Sequence, residues 1–133
     1  MYLDLLNKKE REYFLELAQY AMGLNGEHKE EELEVLEGFK YECQMPNYTA
    51  NKQDKIKEII KTLKGSSKKA KKIILMELFG ILLADGEICD NEAKFIDNIS
   101  AEFRIKEYEV KRMQRWTEAM NDMFQEGYEL VIK

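Results

Sequence analysis

The run Ile73-Ile74-Leu75-Met76-Glu77-Leu78-Phe79-Gly80-Ile81-Leu82-Leu83-Ala84 constrains the fold of this chain more than any other segment. Read as a helix, it is apolar on nearly every side. Such a helix is stable in water only when other elements surround it. It falls short of the ~20 apolar residues needed to cross a bilayer, and Glu77 interrupts it. The segment is therefore expected to be the buried central helix of an all-α domain. Glu77 has two readings, a residue at the core boundary or a buried acid with a raised pKa. The boundary position is the expectation.

Helical punctuation on either side agrees with that centre. Asn7 followed by Glu10 has the spacing of a capping box, and Leu6, Tyr13, Leu17, Ala21 and Leu24 then keep helical spacing on one face. Asn25-Gly26 ends this helix, because both residue types tolerate a left-handed backbone. A second helix is expected from about Glu30 to Glu42, with Leu33, Leu36 and Phe39 inward and Val35 at the edge. Pro46 closes that stretch. Ile56, Ile59, Ile60 and Leu63 mark a third helix. Gly65-Ser66-Ser67 breaks the chain and supplies an N-cap for the central helix. A fifth helix runs from about Asp90 to Phe103, with Phe95, Ile96 and Ile99 inward. A sixth starts near Lys106 and carries Val110, Met113, Trp116, Met120, Met123 and Phe124. That methionine and aromatic stripe reads as core rather than as a docking surface. No β-like alternation of useful length is present.

The two halves of the sequence align at an offset of sixty residues. Leu24-Asn25-Gly26-Glu27-His28 falls on Ala84-Asp85-Gly86-Glu87-Ile88, Glu32 on Glu92, Leu36 on Ile96, Phe39 on Ile99 and Glu42 on Glu102. Each half is a helix, a turn and a helix, which cannot bury both apolar faces alone. The expectation is one compact all-α bundle of about six to seven helices over residues 1–133. Its half-repeats lie at about 7–45 and 67–105 and are related by a pseudo-twofold. The turns at Asn25–Glu32 and Asp85–Glu92 would then occupy equivalent positions.

Composition bounds the function. With 133 residues, 44% hydrophobic and 35% charged, the chain is globular rather than disordered. Cys43 and Cys89 form no CxxC pair and read as free thiols of a reducing compartment. The segment Met1–Leu6 is too short and too soon charged for a signal peptide, so a cytoplasmic location is expected. Net charge is −5, yet residues 51–75 hold nine lysines against two acids, a local +7. No aromatics interleave between Ala50 and Glu77, so base stacking is unsupported and nucleic acid is not an expected partner. Ser67, Lys68, Lys69, Lys71 and Lys72 open the central helix, where lysines repel the macrodipole unless an anion compensates. They read either as a solvated face or as a site for an acidic protein surface or lipid headgroups, the latter implying peripheral membrane association. The single histidine, His28, lies in a polar run and reads as a surface residue. No Ser-His-Asp or Cys-His set and no phosphate-cradling glycine loop is in an expected place.

The run Ala84-Asp85-Gly86-Glu87-Ile88-Cys89-Asp90-Asn91-Glu92 resembles the ADG-[EK]-[IV]-x-x-x-E turn of the TerB-like domain, named for tellurite resistance proteins and similar to domains of some DnaJ-like co-chaperones. The apolar helix before it and Phe95, Ile96 and Ile99 after it fit the same pattern. Asn25-Gly26-Glu27 is a weaker copy, and the resemblance covers about residues 7–125. It implies an all-α fold of about seven helices and a cytoplasmic, non-enzymatic role in stress resistance, phage defence or scaffolding at the membrane. It also implies a divalent metal on Asp85, Glu87 and Glu92, with Glu27 and Glu32 as weaker counterparts, and oxygen-only ligands favour calcium or magnesium. This chain departs from the family pattern at the uncharged Asn25 and at Cys89.

From the residues alone, this turn has a capping reading and a metal reading. Glu92 sits three residues after Cys89, where a capping-box glutamate belongs, and Asp90 complements the helix dipole. An EF-hand is excluded, because Ile81 and Leu83 fall where two ligands would be required. An alternative function is a small metal-dependent hydrolase, which requires Glu77, Asp85 and Glu92 to converge.

Overall fold

The computed structural model describes residues 1–26 and 30–133. Among these residues the chain forms six α-helices and two short 3-10 turns, with no strand. The helices are α1 (Lys8–Met22), α2 (Glu30–Glu42), α3 (Ile56–Leu63), α4 (Lys68–Leu82), α5 (Asp90–Phe103) and α6 (Glu107–Ile132), and the 3-10 turns are Leu3–Leu5 and Gln53–Lys55. No helix among the described residues is long and apolar enough to cross a membrane.

Helix α4 is the axis of the bundle. Its side chains Ile73, Ile74, Leu75, Leu78, Phe79, Ile81 and Leu82 are buried on several sides, and it packs against α1, α2, α5, α6 and the first 3-10 turn. The all-round apolar pattern has this direct consequence: each exposed side of α4 would cost ~25 cal/mol for every Å² of apolar surface left in water. Helix α1 lies against α4 and buries Phe14, Leu15, Leu17, Ala18, Ala21 and Met22. Phe14 meets Phe39 of α2 edge-on at 5.0 Å between ring centres, and Tyr20 of α1 meets Phe95 of α5 at 5.2 Å.

Chain boundaries recur at the sixty-residue offset. Helices α1 and α4 begin at Lys8 and Lys68 behind the caps Asn7 and Ser67, and they end at Met22 and Leu82. Helices α2 and α5 begin at Glu30 and Asp90. Left-handed backbone follows at Gln44 (φ 63°) and Arg104 (φ 56°). A twofold relation between the halves is our reading of this recurrence.

Three parts of the chain stand elsewhere than the sequence suggested. Leu33 is exposed, and Glu32 beside it is buried instead, because Glu32 turns back towards the preceding loop. Glu77 is buried rather than at the boundary, at 7% exposure. It accepts a hydrogen bond from the amino group of Met1 at 2.8 Å, which also donates to Glu42. Burial pushes the Glu77 carboxyl up, and the Met1 ammonium offsets only part of that rise. The stripe of α6 is core only at its start. Val110 is buried and Met113 packs on the core, but Trp116 is 41% exposed, Met123 72% and Phe124 67%. The helix is longer than the bundle it packs on, so its second half leaves the core.

A further buried carboxylate, Glu16, organises the long connection between α2 and α3. It is fully buried on α1 and accepts hydrogen bonds from the Tyr48 hydroxyl, the Asn51 and Lys52 backbone N–H groups (3.0 and 3.1 Å) and the Gln53 side-chain amide (2.7 Å). Burial alone raises the Glu16 pKa, but these donors outweigh it and hold the carboxyl below the ordinary glutamate range. Burial, together with the same pairing, raises the Tyr48 hydroxyl.

Glu16→Ala strands these donors and is expected to cost about 3 kcal/mol, lowering Tm by roughly 10 °C for a domain of this size. Because the folded pKa is depressed, the stabilisation is present above the unfolded glutamate value. It is lost as pH falls through the folded one. Urea unfolding of parent and Glu16→Gln at neutral and acid pH checks this: the gap between them should close as pH falls.

Candidate functional site

Two turns lie side by side at one end of the bundle. The first follows α1 and the second joins α4 to α5. Gly26 and Gly86 have φ of 79° and 90°, a left-handed backbone that favours glycine, which explains the Asn-Gly and Asp-Gly pairs. Leu24, Asn25, Gly26, Cys89, Asp90 and Asn91 line one shallow surface depression, and the Asn91 amide donates to the Leu24 carbonyl at 3.4 Å. The turns matched in sequence are therefore neighbours in space.

Within the second turn, the acidic side chains have separate tasks. Asp85 is half-buried, and its Oδ1 accepts from the Glu87 N–H at 3.2 Å, folding the turn on itself. Glu87 is exposed. Glu92 is 2% exposed, and its Oε1 accepts from the Cys89 N–H at 2.8 Å, which is the helix-capping bond that its spacing predicts. Glu32, the matching residue of α2, is 1% exposed and accepts from the Asn25 amide at 3.4 Å. Glu27 and His28 lie outside the described residues. Among the described residues, no three His, Cys, Asp or Glu side chains are grouped to hold a metal ion. Glu77 belongs to a separate cluster with Met1 and Glu42, so it does not join Asp85 and Glu92.

The lysine segment divides in the same way. Ser67 accepts from the Ala70 N–H at 3.1 Å and caps α4. Lys71 donates to the Lys64 carbonyl (3.2 Å), closing the end of α3, and Lys72 pairs with Glu109 of α6 (2.8 Å). That contact holds the half-buried Glu109 carboxyl below its ordinary pKa. Lys68 and Lys69 remain exposed. Two lysines of α3 and the one that caps its end, which the sequence reading did not single out, join them. Lys57, Lys61 and Lys64 line a shallow groove beside α5, where Lys64 pairs with Glu102 at 3.0 Å. Their i, i+4, i+7 spacing was the available signal. Cys43 is buried and Cys89 partly buried, both unpaired, and burial pushes the Cys43 thiol up to about 11.

The cap carries a stability prediction. Glu92→Ala should cost about 1 kcal/mol, whereas Glu92→Gln keeps an acceptor for the Cys89 N–H and should cost well under half of that. Thermal melts followed by circular dichroism separate the two. Equal losses would mean that the carboxylate charge, not the cap, carries the stabilisation.

The fold and the paired turns agree with a family assignment. The family model for the tellurite resistance protein TerB matches residues 4–115, which run from the first 3-10 turn into the first half of α6. Searches of curated proteins and of solved structures return no match. With most of its length covered by that model, this chain belongs to the tellurite resistance protein TerB family.

Proposed function

We propose that this chain is a non-enzymatic, cytoplasmic interaction module of a stress response, and that it docks an acidic protein surface through its lysine face. One observation carries this reading: Lys57 and Lys61 of α3 and Lys68 and Lys69 of the first turn of α4 are all exposed, within a protein of net charge −5. The Lys71 to Lys64 hydrogen bond keeps these two elements adjacent. Lysines at a helix start repel the macrodipole, so the face gains most from an anionic occupant. Anionic lipid headgroups offer the same charge, and peripheral membrane association is the neighbouring case. The separate bonding of Glu77, Asp85 and Glu92 supports a binding role over a hydrolase, which needs converging carboxylates.

Binding of the full chain to poly-glutamate, and separately to vesicles containing an anionic lipid, tests the face. Affinity should fall with rising salt. It should also fall by about tenfold or more when Lys57, Lys61, Lys68 and Lys69 become Gln, changes at exposed positions that alter stability by only about 0.5 kcal/mol each. Equal binding by parent and variant would reduce the face to solvated lysines. Preference for vesicles over poly-glutamate would move the partner to the membrane.

The acidic turn is proposed to take calcium or magnesium weakly, through Asp85, Glu87 and Glu92 with Glu27 and Glu32 of the first half-repeat. Oxygen ligands favour these hard cations over zinc. Calcium takes about six to eight oxygens, so water must complete the set and affinity should be low. Calorimetry with calcium, magnesium and manganese should give weak binding that Asp85→Asn and Glu92→Gln each reduce. Tight binding that survives both changes would place the site elsewhere.

A further inference from the structure

The groove between α3 and α5 has a volume of about 420 Å³. Lys57, Ile60, Lys61 and Lys64 line it from α3 and its C-cap, and Asn98 and Glu102 line it from α5. Ile60 is buried and gives the groove an apolar floor, while the three lysines and Asn98 are exposed. Glu102 is the one acid among the lining residues, and it holds Lys64 at 3.0 Å. Lys57 and Lys61 make no ion pair among the described residues. The neighbouring acids Asp54 and Glu58 do not line the groove. Like charges one turn apart on a helix repel each other, so the row is relieved by an anionic occupant.

The spacing of the row selects among such occupants. At a rise of about 1.5 Å per residue, Lys57, Lys61 and Lys64 stand about 6 Å and 4.5 Å apart along the helix axis. A second helix with glutamate or aspartate at alternating intervals of four and three residues repeats those distances. Its acids then meet the lysines in register, and its other flank faces Asn98 and Glu102. A bilayer or a nucleic-acid duplex would instead set phosphate against both walls and bring it up to Glu102. No aromatic residue lines the groove on which a base could stack.

We infer that the partner is an acidic amphipathic helix lying along α3 in this groove, with its carboxylates on Lys57 and Lys61 and competing with Glu102 for Lys64. This rests on the reading that the lysine face docks an acidic protein surface, and it names the form of that surface and the groove that takes it. Glu102 acts as the selector. It holds Lys64 beside the groove before the partner arrives, and only a helix with a third acid in register gains from displacing it.

Binding of alanine-based helical peptides to the full chain, followed by fluorescence anisotropy, tests the inference. One peptide carries glutamates at alternating intervals of four and three, and a control of equal composition scatters them round the helix. The striped peptide should bind about tenfold more tightly than the control. Lys57→Gln with Lys61→Gln should weaken the striped peptide by about tenfold and the control far less. Glu102→Gln should tighten it by up to about fivefold. Glu58→Gln makes the same change of charge outside the groove and should have less than half that effect. Equal binding of both peptides, with poly-glutamate still bound, would overturn the helix in the groove and leave the acidic-surface reading standing. Binding of neither peptide nor poly-glutamate would overturn both. Loss on Lys68→Gln with Lys69→Gln, but not on Lys57→Gln with Lys61→Gln, would place the contact outside the groove. Equal gains from Glu102→Gln and Glu58→Gln would overturn the selector role. Anionic vesicles or a nucleic-acid duplex bound more tightly than the striped peptide would overturn the helix as occupant.

Discussion

Every other element is placed by the need to keep water from helix α4. A helix with apolar side chains on nearly all sides has no solvent face, so each neighbour must present an apolar stripe to it. Helices α1, α2, α5 and α6 do so, and the first 3-10 turn closes a remaining gap with Leu3. The amphipathic helices gain in return, because a helix of eight to fifteen residues is marginal alone in water. The cooperative unit is therefore α4 with its coat.

Two carboxylates inside that coat do the work that apolar contacts cannot. The connection between α2 and α3 has little regular structure and few apolar anchors, so its backbone N–H groups need acceptors. Glu16 supplies them from α1 and holds Asn51, Lys52 and Gln53 against the bundle. Its charge is tolerated because donors surround it. Glu77 is accommodated differently, through the Met1 ammonium, and its carboxyl is raised rather than lowered. The contrast shows that the number and kind of partners, rather than depth alone, set the state of a buried acid.

The turn region illustrates how far spacing can be trusted. The three-residue interval from Cys89 to Glu92 predicts a backbone-to-carboxylate bond, and that bond is present because capping is local chemistry. Lys71 and Lys72, which read from the sequence either as a solvated face or as part of a site for an acidic partner, show the other limit. Both reach neighbours that are distant in sequence or in another helix, the Lys64 carbonyl and Glu109, and nothing in the local pattern of α4 encodes those contacts. Lys57, Lys61 and Lys64 share a face by ordinary helical spacing, yet only the packing of α3 beside α5 sets them along a groove with Asn98 and Glu102.

By itself, the sequence determined the helices and their ends. Caps at Asn7 and Ser67, left-handed glycines at Gly26 and Gly86 and the all-round apolar pattern of α4 are properties of adjacent residues, and such properties survive into any fold the chain adopts. The sixty-residue recurrence and the family resemblance were legible for the same reason. Tertiary structure alone decided which apolar residues are core and which acids are buried. Leu33, Trp116, Met123 and Phe124 have the composition of core residues but lie exposed outside the core, while Glu16, Glu32 and Glu77 lie buried within it. Burial is a relation between elements that are far apart along the chain. A helix pattern reports which face is apolar, but it cannot report where the facing element ends.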